Sequence, residues 1–184
     1  MRLIIFLFFL SYSLLADSIG VEIITLTVHI SDSSIANGDE YPRKLDDNGR
    51  VILMPGIEIN YHYKNKNNFL SIDNYKIMLG NYSDSRAQHS GYLQFGPRWN
   101  LSYKKISVDF GVGPVLFFRK SWRKFPNYTG NDFLYEAFGY EYLFFIFGDI
   151  DFQLKISNNL KLIWSIIPAI PFSISNNLGI DYQF

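Results

Sequence analysis

From Val21 onward the chain alternates apolar and polar residues with period two, and helical spacing is absent. That period is the signature of strands, because successive side chains leave a strand on opposite faces. Ile24, Leu26, Val28 and Ile30 share one parity, and Thr25, Thr27, His29 and Ser31 take the other. The same split recurs in Ile57, Ile59, Tyr61 and Tyr63 against Glu58, Asn60 and His62, and in Ile150, Phe152, Leu154 and Ile156 against Asp149, Asp151, Gln153 and Lys155. Reading it along the chain predicts eight strands at about 20–31, 50–63, 69–81, 90–103, 105–119, 139–156, 159–167 and 174–184, the third interrupted at Asp73-Asn74.

A soluble sandwich also alternates, but its apolar faces meet each other. Here the apolar parity is rich in Tyr, Trp and Phe, while the opposite parity carries Asp, Lys and Arg, as in a membrane barrel that turns its apolar side to lipid and its polar side to the lumen. Closure satisfies every backbone hydrogen bond, which a membrane requires. The expected fold is therefore all-β, an eight-stranded antiparallel transmembrane β-barrel of the outer-membrane type. Such barrels keep short turns on the periplasmic side. Segments 64–68, 103–105 and 157–159 are those turns, and the longer connections at 32–49, 81–89, 120–138 and 168–173 are expected at the cell surface.

Residues 1–16 stand apart: Arg2, an apolar run from Leu3 to Leu10, and Ala16 before Asp17 match a secretory signal peptide. The expected organisation is thus 1–16 as signal and 17–184 as one barrel domain. Composition narrows the chemistry. Seventeen basic against 17 acidic residues give no global positive field for nucleic acid. With no cysteine there is no disulfide, thiolate metal site or Cys nucleophile. The three histidines are far apart in sequence, so no metal or cofactor is expected.

Sorted by parity, the lumen divides into two halves. Toward the periplasm Glu58, Asn60, His62, Arg98, Asp109, Asp149, Asp151, Lys161 and Asp181 form a self-neutralising polar plug. Toward the surface the inward positions become Ile52, Met54, Val115, Phe117, Ile163 and Ile167, with Gly111 and Gly113 leaving space near mid-height. This predicts an apolar pocket suited to an acyl chain. Pro55, Pro97, Pro114 and Pro168 each remove a ladder donor, and a bulge or loop beside each is the expected reason.

At the pocket's mouth the sequence offers His29, with Asp84 and Ser85 in the second surface loop. Imidazole, hydroxyl and carboxylate are the parts that acyl transfer uses. Thr27-Val28-His29 before a long polar loop, Asp84-Ser85 ahead of the fourth strand, Arg119 with Trp122 closing the fifth, and Ile167-Pro168 followed by Asn176-Asn177 and terminal Phe184 together resemble the PagP-type lipid A palmitoyltransferases. That resemblance implies His29, Asp84 and Ser85 as catalytic residues, Arg119 near a lipid phosphate, phospholipid and lipid A as partners, and a monomer in the outer membrane. A second resemblance runs through His29-Ile30-Ser31-Asp32 and Gly56-Ile57-Glu58 to outer-membrane lipid A deacylases, implying a triad of His29, Ser31 and Glu58. The third reading is a non-enzymatic surface barrel, structural or binding.

Overall fold

A computed structural model describes residues 17–29, 41–65, 69–125, 134–169 and 173–184. The signal segment at 1–16 and Ser31 lie outside them. Nine strands follow in chain order: β1 (Ser18–His29), β2 (Val51–Lys64), β3 (Asn74–Ser83), β4 (His89–Tyr103), β5 (Ile106–Lys120), the short β6 (Tyr135–Ala137), β7 (Tyr140–Lys155), β8 (Leu160–Ala169) and β9 (Ser173–Gln183). The sheet runs β5-β4-β3-β2-β1-β9-β8-β7, and β5 pairs with β7 to close it. All pairings are antiparallel. Eight strands make the wall, and β6 is a three-residue flap on the far end of β7. The expected eight-stranded antiparallel barrel is therefore the fold observed.

The faces are inverted relative to a soluble protein. Ile23, Ile57, Phe95, Leu101, Phe144 and Ile146 are exposed on the outer wall, whereas Glu22, Glu58, Asn60, Arg98 and Asp151 are 0–1% exposed in the lumen. Only a hydrocarbon environment makes that exterior stable. Stacked aromatic pairs on adjacent strands brace the wall, Tyr75 on Phe95 at 5.9 Å, Trp99 on Phe110 at 5.8 Å and Phe152 on Trp164 at 5.3 Å. Lys104 and residues 157–159 mark the turn end; segments 41–50, 121–125 and 134–139 lie at the opposite, loop end.

Several details depart from the sequence reading. A register shift between Ile24 and Leu26 occurs against both β2 and β9. It reverses the parity of β1, so Ile24 is buried at 2% beside Glu22, and Thr27 takes over the lumen position above it. Opposite the shift, Pro55 occupies the irregularity where its missing N–H costs least. Formal pairing of β4 with β5 lapses between Gln94↔Val115 and Arg98↔Gly111, the interval that holds Pro97 and Pro114. The third strand starts at Asn74, not at 69, because Phe69–Ser71 is a 3-10 turn with Leu70 at φ 54°. The connection expected as a long loop over 81–89 is a tight turn at 84–88, closed by Ala87 at φ 55°.

Candidate functional site

Two places in the lumen, and one at the loop end, hold the polar chemistry. At mid-height β1, β2, β3, β4, β7, β8 and β9 turn side chains inward, and they meet around Lys76. Its Nζ lies 2.8 Å from Asp151, 3.4 Å from Asp149 and 3.9 Å from both Glu22 and Glu58. Arg98 reaches across the empty side of Gly111 to pair with Asp149 and, at 2.7 Å, with Asp151. A Cβ on Gly111 would sit 2.4 Å from the Arg98 Cδ, so this glycine admits the arginine. Gly113 likewise faces strand backbone, 1.9 Å from the Phe95 carbonyl at its missing Cβ. Arg98 and the Phe95 carbonyl thus lie where side chains at these two glycines would stand.

Neutral donors complete the network. Asn60 donates to Glu22 at 2.8 Å, Asn177 to Glu58 at 3.0 Å, Ser165 to Asp151 at 2.7 Å, and the Tyr92 hydroxyl to Glu58. Glu22 and Glu58 are direct cross-strand partners, and a Cβ on Gly179 would press 2.6 Å against the Glu22 Cγ. Four carboxylates therefore surround two cations, all essentially without solvent exposure. The sequence reading placed Arg98, Asp149 and Asp151 in this plug but missed its hub. Lys76 lay in the strand whose start was misplaced, and Glu22 in the strand whose parity flips. Val21 and Ile23 flanking Glu22 were the available signal.

Above the plug, Ile52, Met54, Val115 and Ile167 are buried at 0–8% exposure, as the parity predicted, whereas Ile163, buried at 3%, lies on the turn side of Ser165 rather than in the surface half. Ile52 and Met54 pack against Tyr41, with Tyr82 at the edge of the cluster. The 41–50 segment folds back on β2 through a Lys44↔Ile52 bridge and a Leu53 N–H to Arg43 carbonyl bond of 3.0 Å, which carries Tyr41 over the lumen. Asp46 caps that turn by accepting from the Val51 amide at 2.7 Å, and this bond holds its carboxyl below the usual aspartate value. Phe117 is only partly buried.

At the loop end Asp84 organises the β3–β4 turn. It accepts from the amides of Arg86 and Gln88 at 3.0 and 2.8 Å, from Ser90 Oγ at 3.1 Å and from the Trp122 indole at 2.8 Å. Burial nevertheless pushes its carboxyl above the ordinary aspartate value, with the Gln88, Trp122 and Ser90 bonds opposing that shift. Trp122 is sandwiched between Arg119 at 3.8 Å and Arg86 at 4.9 Å, and Arg119 pairs with Glu141 at 2.7 Å. Asp84 and Ser85 are both buried at 5%. His29 ends β1 opposite Ser173, and its side chain lies outside the described residues. Glu58, of the second resemblance, belongs to the mid-lumen network. No group of three or more His, Asp or Glu arranged to hold a metal occurs among the described residues.

No family model matches the chain, and no curated protein matches it. Three solved structures are similar in shape. The N-terminal β-barrel domain of Pseudomonas aeruginosa OprF aligns at 11% identity and TM-score 0.48, covering 92% of this chain and 98% of that one. Neisserial surface protein A aligns at 8% and 0.48 over 91% and 96%. Ail, the attachment invasion locus protein of Yersinia pestis, solved with the heparin analogue sucrose octasulfate, aligns at 12% and 0.44 over 91% and 98%.

Proposed function

We propose that the protein is a non-enzymatic barrel of the bacterial outer membrane, a sealed scaffold anchored in the bilayer whose loop end is its working surface. The observation that carries this reading is the plug: Lys76 and Arg98, each 1% exposed, tie β3 and β4 to the carboxylates of β1, β2 and β7 across the lumen. Charges so buried and so closely paired hold the wall together; they do not turn over a substrate. At the loop end the Asp84 carboxylate is spent on four donors, so its chemistry is that of a brace linking the β3–β4 turn to Trp122. The turn end faces the periplasm on the length rule for these barrels. Every wall strand has two neighbours, which leaves no sheet edge to recruit a second copy and supports a monomer.

Acyl transfer from a phospholipid to lipid A is the second reading, favoured by the apolar upper lumen around Ile52, Met54, Val115 and Ile167. It would use His29, Asp84 and Ser85, with Arg119 near a phosphate. One experiment separates the readings. The full chain is produced in a Gram-negative host, and its lipid A is weighed by mass spectrometry beside that of His29→Ala, Ser31→Ala and Ser85→Ala strains. A scaffold leaves lipid A unchanged while the folded barrel accumulates in the outer membrane. A gained acyl chain that His29→Ala and Ser85→Ala both abolish makes the protein a transferase, and a lost chain that depends on His29 and Ser31 makes it a deacylase.

A further inference from the structure

The turn end of the lumen is not filled. A cavity of about 360 Å³ lies there, walled by every strand of the barrel, a volume in the range that small-molecule sites occupy. Five lysines line it: Lys64, Lys104, Lys105, Lys155 and Lys161. Three of them belong to the lumen by register. Lys155 pairs across with Lys161, Lys161 with the buried Asp181, and Lys64 follows the buried His62 at the same parity. They are therefore not interfacial anchors reaching for lipid headgroups.

Among the described residues none of the five forms an ion pair. Lys161 donates to the Gln153 amide oxygen at 2.9 Å, and Lys104 lies over the Tyr103 ring at 5.1 Å. The cavity's acids accept from neutral donors, with Lys161 the nearest lysine acting on Asp109 and Asp181. Asp17 accepts from the Lys64 amide at 2.6 Å, Asp73 from the Asn100 amide at 2.7 Å, and Asp109 from Gln153 at 3.0 Å. One acid keeps an unsatisfied oxygen: Asp181 accepts from Ser18 Oγ at 2.9 Å through Oδ2, while Oδ1 is buried without a partner, as is Nε2 of His62 beside it. A buried carboxylate oxygen without a donor is costly. The wall thus offers an acceptor at Asp181 and positive charge at the lysines.

We propose that this vestibule binds a small amino-dicarboxylate, a molecule with one ammonium and two or more carboxylates such as a short acidic peptide with a free amino terminus. The ammonium donates to Asp181 Oδ1, and the carboxylates take charge-assisted bonds from Lys64, Lys155 and Lys161. Facing the ligand from the remaining strands are Asp17, Asp73, Asp109, Lys104 and Lys105, so the site keeps a net positive rim.

Titration calorimetry on the full mature chain in nanodiscs, at low salt, tests the assignment with the dipeptide Glu-Glu as probe. Its binding should fall about tenfold in Lys64→Gln/Lys155→Gln, two exposed positions whose change spares the fold, and about as much in Asp181→Asn. Glutarate, which has the carboxylates but no ammonium, should bind more weakly than the dipeptide and be indifferent to Asp181→Asn. No heat with wild-type protein overturns the proposal. So does dipeptide binding that the lysine variant leaves unchanged, or dipeptide and glutarate binding equally with no effect of Asp181→Asn, since the vestibule is then a general sink for anions.

Discussion

The two ends of the barrel treat their charges in opposite ways. At the loop end two arginines are paired, Arg119 with Glu141 at 2.7 Å and Arg123 with Glu136 at 2.6 Å, while the Trp122 indole donates to the Asp84 carboxylate. At the turn end five lysines ring a cavity with no ion pair among the described residues. Between them sits the plug, whose excess of carboxylates over cations takes further hydrogen bonds from Asn60, Tyr92, Ser165 and Asn177. The contrast shows which charges build the molecule and which remain available. Paired, buried groups set the barrel's shape, and the unpaired ring is where a ligand can change something.

Breaking the plug should have the largest effect. Lys76→Met leaves four buried carboxylates facing Arg98 alone and should destabilise the barrel by about 3–5 kcal/mol, the usual cost of removing one partner from a buried ion pair. Urea unfolding in detergent micelles, followed by tryptophan fluorescence, measures it; a loss below about 1 kcal/mol would mean that Lys76 is not the hub. Gly111→Val should come next at about 1–3 kcal/mol, because its side chain displaces Arg98 and overpacks the lumen. Gly139→Val in the β6–β7 turn, where nothing lies within 4 Å, serves as a control for steric space. There the positive φ of 75° is the only penalty. Asp84→Ala should cost about 1–3 kcal/mol at the loop end by orphaning the Trp122 indole and the turn amides, and proteolysis next to Trp122 should quicken. That cost should leave the turn end untouched.

The smallest effect is a titration. Burial raises the Asp84 carboxyl, so folding favours its protonated form: the group opposes folding above its raised value and ceases to do so below the aspartate value of 3.8 of the unfolded chain. The Trp122 indole N–H resonance, hydrogen-bonded to this carboxylate, should therefore titrate with a midpoint above 3.8. A midpoint at or below that value would place the indole bond above burial in the balance.

Much of this was legible in the chain because one rule, alternation, governs nearly every wall residue. Ile57 and Glu58, Phe110 and Asp109, and Phe152 and Asp151 take the faces their parity assigns. Alternation fails where one extra residue enters a strand. The shift at Ile24/Leu26 changed the face of Ile24 and hid Glu22, and a local pattern contains no term for a bulge chosen by two neighbouring strands. Lys76 escaped for a similar reason, since the 3-10 turn at Phe69–Ser71 displaced the strand's start. The glycines were legible as absences but not as their causes: Gly111 makes room for an arginine thirteen positions away, a contact that only register reveals. Tyr41, which covers Ile52 and Met54, comes from a loop whose fold-back depends on Asp46 capping Val51.

Solute permeation through proteoliposomes tests the sealed lumen most directly. Liposomes holding the wild-type chain should retain small ions and sugars as protein-free liposomes do, whereas Lys76→Met, if it still inserts, should make them leak. Rapid efflux of ions through the wild-type barrel would contradict the account, because Lys76, Arg98 and their four carboxylates would then not close it.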